Sequence, residues 1–155
     1  MKQQVEDEAE REFELAREAL HRDDAEDALP HLEKALELRD NPSWYSYVGY
    51  CIAKGRGEFK MAVDLCRMSI ETEPEKPVHN LNLGKVYLAA GNKQKAHEAF
   101  REGLEKGGDE EVLHMLVALG MRNPPVIKAL SRNHPLNRFL GRLLYRHAQR
   151  QRSQP

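Results

Sequence analysis

The chain repeats one pattern of small and apolar residues at an interval of 34 positions. Ala28, Ala62 and Ala96 carry the smallest side chains of this pattern, and their spacing is 62 − 28 = 34 and 96 − 62 = 34. Three further sets keep the same interval and share one helical face with the alanines: Leu32/Cys66/Phe100, Ala35/Ser69/Gly103 and Leu36/Ile70/Leu104. Positions that recur together in this way indicate a repeat protein. One such unit cannot bury its own apolar face, so roughly three or more units must stack.

A second helix precedes each of these segments in the sequence pattern. An apolar residue stands before a small one, and a further packing residue follows three positions later, in Leu15-Ala16/Ala19, Val48-Gly49/Ile52, Leu83-Gly84/Tyr87 and Val117-Ala118/Met121. Because Gly or Ala lets two helix backbones approach closely, this pattern predicts pairs of packed helices. The middle unit has one extra residue between its helices. We expect a longer turn there, at Lys54-Gly55-Arg56-Gly57, with positive φ angles at the glycines.

Between positions 80 and 108 the chain resembles the tetratricopeptide repeat (TPR) family. The family's Leu-Gly, Tyr, Ala and Phe are matched in order and spacing by Leu83, Gly84, Tyr87, Ala96 and Phe100. The chain departs from the family at Gly103, where Ala is preferred, and at Asn80, where Trp is preferred. The resemblance implies an all-α fold, namely a right-handed superhelix of antiparallel helix pairs with a C-terminal capping helix.

The turn and break signals organise the chain as one array without a second domain. We predict a TPR array over residues 1–121, with three full repeats at about 5–40, 41–75 and 76–108 and the start of a degenerate fourth. Residues 122–150 are predicted to hold the degenerate repeat and a basic amphipathic capping helix, and residues 151–155 a disordered tail. Capping and breaking residues predict array helices at 5–21, 24–38, 42–54, 58–72, 77–90, 93–106 and 110–121.

Charge is divided unevenly along the chain. Residues 121–155 hold seven Arg, one Lys and no acid, which gives +8, so the total of −1 leaves −9 for residues 1–120. Within the predicted capping helix a basic surface is expected from Arg138, Arg142, Arg146 and Arg150. The simplest interpretation of this basic segment is a solvating cap that docks on the acidic array. The alternative is that the segment binds an acidic protein partner. The acidic array disfavours nucleic acid, and the absence of Trp near the basic surface disfavours a membrane.

Residue types typical of catalysis or metal binding form no motif in this sequence. The seven His are scattered without zinc spacing, and neither a Gly-rich phosphate loop nor a nucleophile elbow occurs. We therefore expect no enzyme activity, no cofactor and no metal. Cys51 and Cys66 are expected to be buried, reduced thiols. The N-terminal residues are polar and acidic, and no apolar run approaches the roughly 18 residues of a membrane span, so we expect a cytoplasmic location.

The TPR resemblance also implies a concave groove that is lined by the first helix of each unit and holds an extended peptide or a partner helix. Its lining would be Phe13, Arg17, Leu20, Tyr47, Tyr50, Lys54, Leu81, Asn82, Lys85 and Met115. This mixture of aromatic and basic residues suits a peptide with acidic or carboxylate character. In the family's best-known variant, Lys, Asn and Arg residues clamp a C-terminal carboxylate. This chain has Phe13, Arg17, Tyr47, Val78 and Asn82 at those positions, so we do not predict that clamp.

Two functional hypotheses follow from the resemblance. The first is a non-catalytic adaptor or scaffold that binds a protein or peptide in the groove. The second is a dedicated small TPR chaperone that holds a segment of one client and forms a homodimer. The sequence also leaves open whether residues 136–149 fold back over Leu81, Leu88, Met115 and Leu119 and fill part of the groove.

Overall fold

Residues 1–120 are described by the computed structural model, and they form seven α-helices and no strand. The helices are α1 (Lys2–His21), α2 (Ala25–Leu38), α3 (Tyr45–Arg56), α4 (Phe59–Thr72), α5 (Pro77–Ala89), α6 (Lys93–Glu105) and α7 (Glu110–Ala118), with a 3₁₀ turn at Pro42–Trp44 before α3. The predicted all-α fold is thus confirmed for this part of the chain. The predicted capping helix, its basic surface of Arg138, Arg142, Arg146 and Arg150, and the predicted tail lie outside the described residues. No helix within residues 1–120 has the length and apolar character to cross a membrane.

Helix ends follow from capping side chains and left-handed glycines. Backbone N–H groups in the first turn of a helix have no partner within the helix. In α2, α6 and α7 one such group donates a hydrogen bond to the side chain of Asp24, Asn92 and Asp109, respectively. Gly57 ends α3 with a φ of 68°. The prediction that Gly55 also lies in this turn was wrong, because α3 continues to Arg56 and Gly55 is helical. The extra residue of the middle unit therefore lengthens the helix instead of the turn.

The helices pair as the repeat pattern predicts, and small residues bring their backbones together. α1 packs on α2, α3 on α4 and α5 on α6, while α3 also contacts α5. A Cβ atom added to Gly49 would lie 2.6 Å from the carbonyl oxygen of Ala62, and one added to Gly84 would lie 2.5 Å from Cδ1 of Phe100. Both contacts are too short for carbon, so only Gly permits these close approaches.

An aromatic cluster joins the first helix pair to the second. Trp44, at the end of the 3₁₀ turn, stacks on Phe13 with ring centroids 4.8 Å apart, and Tyr47 meets the edge of Phe13 at 5.1 Å. The guanidinium of Arg39 lies 4.7 Å from the Trp44 ring, where a cation–π attraction adds to the packing. Phe13 and Trp44 are consequently buried.

The two departures from the TPR pattern, Asn80 and Gly103, are neighbours in the structure. Asn80 is fully buried, and its amide donates to Glu102 at 3.0 Å and accepts from Lys106 at 2.9 Å. Gly103 leaves space for it, since a Cβ atom there would lie 3.2 Å from the Cβ of Asn80. A buried polar side chain with both of its functions satisfied thus replaces the larger aromatic residue of the family.

The two cysteines are buried free thiols, as expected from the sequence. Burial raises the pKa of the Cys51 thiol to about 12 and the pKa of the Cys66 thiol to about 12. Their thiolate forms are therefore scarce at neutral pH, and both side chains act as small core residues.

Candidate functional site

The first helices of the repeats surround a groove of about 440 Å³. This groove is lined from α1, α3, α5, the α6–α7 connection and the start of α7, within the compact unit Met1–Leu119. Seven of the ten residues predicted for the lining are among those that surround it: Arg17, Leu20, Tyr47, Tyr50, Leu81, Asn82 and Lys85. Their clustering reflects the repeat geometry, since equivalent faces of stacked first helices point to one side.

Three residues predicted for the lining do not border this groove. Phe13 is covered by Trp44 and Tyr47 in the aromatic cluster. Lys54 turns to the α1–α2 connection, where its Nζ lies 2.5 Å from Oδ1 of Asp23. Met115 is half-buried against the apolar cluster of α5, α6 and α7. The aromatic part of the groove therefore depends on Tyr47 and Tyr50.

Seven lining residues were absent from the predicted lining, although Val78 was assigned to a clamp position: His21, Pro77, Val78, Gly107, Asp109, Glu111 and Val112. Four of them are related in pairs by the repeat period. Pro77 and Glu111 are 111 − 77 = 34 apart, and Val78 and Val112 are 112 − 78 = 34 apart. The start of α7 thus contributes to the groove in the same register as the start of α5.

Tyr50 is held in place by a small network of charged groups. Its hydroxyl donates to Oδ1 of Asp23 at 2.9 Å, and the Nζ atoms of Lys54 and Lys85 lie 5.8 and 5.4 Å from its ring centre. Burial and the nearby Asp23 carboxylate raise the pKa of Tyr50, so the phenol stays neutral. The hydrogen bond from Lys54 is the main cause that lowers the pKa of Asp23. A fixed ring of this kind offers contact area to a ligand at low entropic cost.

The basic residues around the groove already have carboxylate neighbours. Nζ of Lys85 lies 2.5 Å from Oε1 of Glu111, and Nη1 of Arg17 lies 2.8 Å from Oε1 of Glu14. Arg17 and Glu14 are largely exposed, so water weakens their pairing. Lys85 is less exposed and links α5 to α7 across the groove.

A chain of hydrogen-bonded polar side chains runs beneath the floor of the groove, and all of its members except Glu73 are buried. Asn82 donates to Oγ of Ser46 at 3.1 Å, Oγ of Ser46 lies 2.9 Å from Nδ1 of His79, and Nε2 of His79 lies 3.0 Å from Oε2 of Glu73. A carboxylate only accepts hydrogen bonds, so Nε2 of His79 carries the proton and Nδ1 accepts from Ser46. Burial lowers the pKa of His79. The hydrogen bond from Lys76 is the main cause that lowers the pKa of Glu73, to about 2.

This Ser–His–Glu order resembles a catalytic triad in composition, but its burial excludes that chemistry in the folded state. Ser46 is 0% exposed and His79 is 1% exposed, so a substrate carbonyl has no access to Oγ of Ser46. The Ser46 hydroxyl also accepts from Asn82. The chain of hydrogen bonds instead satisfies polar groups between α3, α4 and α5. Within residues 1–120, no group of three or more His, Cys, Asp or Glu side chains is arranged to hold a metal ion.

The positions that form a carboxylate clamp in the TPR family hold other residues in this chain, and most of these residues make contacts that do not suit a clamp. Val78 is apolar, Phe13 is covered, and the Asn82 amide is engaged with Ser46. Tyr47 lines the groove as a half-buried ring whose pKa is raised by burial. Arg17 is the one cation among the five positions. The arrangement lacks the set of donors that would fix a terminal carboxylate.

Comparison with known proteins identifies the class of fold. No family model matches the chain, and no curated protein matches it. Among solved structures, the chain is similar to the Sgt2 TPR domain from Aspergillus fumigatus, with a TM-score of 0.57, 19% identity, and coverage of 73% of this chain and 77% of that one. It is also similar to the Arabidopsis OM64 TPR domain, with a TM-score of 0.57, 15% identity, and coverage of 74% and 96%.

A third similar structure is the first TPR of Spaghetti (RPAP3) bound to the HSP90 peptide SRMEEVD, with a TM-score of 0.56 and 14% identity. The match covers 74% of this chain and 91% of that one. All three structures are TPR domains. The described part of this chain therefore has the TPR fold.

Proposed function

We propose that this protein is a non-catalytic adaptor or scaffold that holds an extended peptide segment of a partner protein in its groove. The observation that carries the proposal is the groove itself, which is bordered by α1, α3, α5 and α7 and contains Tyr47, Tyr50 and Leu81. Its size of about 440 Å³ suits several side chains of a peptide. Aromatic rings in a concave site are frequent anchors for protein ligands.

The similar RPAP3 domain is described as bound to an HSP90 peptide, which supports a peptide ligand for this chain as well. That peptide ends in the acidic sequence EEVD. In this chain the clamp positions hold Val78 and a covered Phe13, so the proposed ligand is recognised along its length instead of by its terminal carboxylate. An acidic side chain of the ligand would pair with Arg17.

A non-catalytic role agrees with the chemistry of the buried groups. In the described part of the chain the hydroxyls of Ser46 and Ser69, the imidazole of His79 and the thiols of Cys51 and Cys66 are all buried. The cytoplasmic location expected from the sequence remains a prediction, and microscopy of the tagged chain would test it.

The test begins with peptide selection. The full-length chain would be used to select binders from a displayed library of random peptides, and the affinity of the best one would be measured by fluorescence anisotropy. Tyr47→Ala and Tyr50→Ala each remove one aromatic side chain of the groove and should weaken binding at least about tenfold, which corresponds to roughly 1.4 kcal/mol.

A matched control changes the opposite side of the array. Met61 on α4 is 52% exposed and does not line the groove, so Met61→Ala should bind the peptide like the unmodified chain. Circular dichroism would establish that each variant keeps its helical content and melting temperature. Unchanged binding by both groove variants, or failure to select any peptide, would contradict the proposed function.

A further inference from the structure

The groove carries opposite charge at its two ends. Arg17 and His21 border it on α1, whereas Asp109 and Glu111 border it at the start of α7. α1 packs on α2 and α7 packs on α6, so these groups belong to the first and last helices of the described array. A ligand that crosses the groove therefore meets a cation at one end and carboxylates at the other.

The cation at the α1 end retains unused hydrogen-bond donors. Both contacts between Arg17 and Glu14 go through Nη1, at 2.8 and 3.1 Å, while a guanidinium has five N–H donors on three nitrogens. Glu14 itself does not line the groove. Asp23 is nearby in the α1–α2 connection, but its charge is matched by Lys54 at 2.5 Å. The α1 end can thus accept a carboxylate from a ligand.

At the α7 end the lining of the groove includes two carboxylates, Asp109 and Glu111, and one cation, Lys85. Lys85 pairs with Oε1 of Glu111 at 2.5 Å, and Oδ1 of Asp109 accepts from the backbone N–H of Glu111 at 3.1 Å. Each carboxylate still has a second oxygen that can accept hydrogen bonds. The Glu111 side chain is about half exposed, so an incoming ammonium or guanidinium can reach it. This end therefore suits a basic side chain.

The middle of the groove is apolar and aromatic. Tyr47, Tyr50, Val78 and Leu81 line it, and the nearby Lys85 ammonium is already directed to Glu111 and the Tyr50 ring. A charged residue of a ligand would gain little there and would lose water. Apolar or aromatic side chains are the better match.

We infer that the ligand is a bipolar peptide, with an acidic side chain at the α1 end, apolar residues in the middle and a basic side chain at the α7 end. This inference rests on the proposed function. An extended chain advances about 3.3 Å per residue, so spacers of about five to eight positions between the acidic and the basic residue of a test peptide cover spans of roughly 16–26 Å.

Designed peptides of one length test this inference. Four peptides share the same apolar centre and differ in their ends: acidic then basic, basic then acidic, both acidic, and both basic. Their affinities for the full-length chain would be measured by fluorescence anisotropy at about 50 and 150 mM salt. One of the two bipolar peptides should match the chain direction of the site. This peptide should bind at least about tenfold tighter than the doubly acidic peptide and than the doubly basic peptide. The difference should shrink at the higher salt concentration.

Charge-reversal variants of the protein test which end of the groove binds the acidic residue of the peptide and which end binds the basic residue. Glu111→Lys should shift the preference from the bipolar to the doubly acidic peptide, and Arg17→Glu should shift it to the doubly basic peptide. Glu110→Lys and Arg11→Glu are matched controls, since they make the same charge changes on the same helices at exposed positions outside the lining. These control variants should keep the bipolar preference.

The outcomes separate this inference from the proposed function. Equal affinity for all four peptides, or tightest binding of the doubly acidic or doubly basic peptide, would overturn the bipolar ligand and leave peptide binding intact. Selected and designed peptides that all fail to bind would overturn the proposed function as well. A bipolar preference that both control variants abolish would contradict the assignment of the two ends.

Discussion

Replacing Gly84 by Ala should destabilise the array markedly, because the added Cβ atom overlaps the ring of Phe100. The new atom would lie 2.5 Å from Cδ1 and 2.7 Å from Cζ of that ring, whereas carbon atoms in contact are about 3.5–4.0 Å apart. Phe100 is 0% exposed, so its ring has little space to move. Overpacking of this kind costs about 1–3 kcal/mol, and the severe overlap favours the upper value.

The net effect of Gly84→Ala must include the helix propensity of the new residue. Ala is favoured over Gly inside a helix by about 1 kcal/mol. The free energy of unfolding should therefore fall by about 2 kcal/mol, which corresponds to a decrease in melting temperature of about 4–8 °C for a chain of this size. Urea denaturation followed by circular dichroism at 222 nm, on the full-length chain, would measure the change.

A second glycine of the array provides the matched control. Gly55 is helical, and a Cβ atom added there would meet no atom within 4 Å. Gly55→Ala should therefore stabilise the protein by about 0.5–1 kcal/mol through propensity alone. Opposite signs at these two positions would show that packing and not backbone flexibility makes Gly84 necessary.

A double-mutant cycle tests the named contact directly. Phe100→Leu removes ring atoms that the new Cβ would overlap, although it destabilises the core by itself. The combination of Gly84→Ala with Phe100→Leu should be less destabilised than the sum of the two single changes by at least about 1 kcal/mol. Strict additivity, or a stabilising Gly84→Ala, would refute the packing argument.

Three further predictions concern the core and a helix end. Cys51 and Cys66 should react with a thiol reagent at pH 8 only as fast as the protein unfolds, because burial raises the pKa of each thiol to about 12; rapid reaction in the native state would be contrary evidence. Glu73 has a folded pKa of about 2, below its ordinary 4.5, so stability should be lost as the pH falls from about 4.5 towards 2, and Glu73→Gln should flatten this part of the pH profile in urea titrations. Burial lowers the pKa of His79, so this residue should also make the protein less stable as the pH falls below about 6.5. Asn92→Ala removes the side-chain acceptor 3.1 Å from the Lys95 N–H and should cost about 1 kcal/mol by thermal denaturation; a loss below about 0.2 kcal/mol would contradict the capping role.

Helices and their pairing could be predicted from the sequence because the relevant signals are local or periodic. The 34-residue spacing of Ala28, Ala62 and Ala96 corresponds to three alanines that are all fully buried. Caps such as Asp24 act within one turn, so their effect is visible in a short segment. The error at Gly55 arose because two glycines in four residues were both assigned to the turn, while Gly57 alone supplies the positive φ.

The details of the candidate site depend on contacts between distant parts of the chain. Phe13 is covered because Trp44, 31 residues later in the sequence, stacks on it. The link from Ser46 to His79 spans 33 residues, and no local pattern indicates it. The charge of the groove was predicted to be basic, since the acids at the start of α7 were not included in its lining. Glu111 shares the 34-residue register of Pro77, which was not in the predicted lining either, and its pairing with Lys85 required the structure.

The central claim is that the groove of this TPR fold binds a peptide, and an NMR titration tests it most directly. The ¹⁵N-labelled full-length chain would be titrated with the selected peptide, and the amide shifts would be mapped residue by residue. Peptide binding in the groove should give the largest shifts at Tyr47, Tyr50, Lys85 and Glu111, with small shifts on the α4 surface around Met61 and Met68. Shifts confined to α4, or to residues 121–155, would contradict the account.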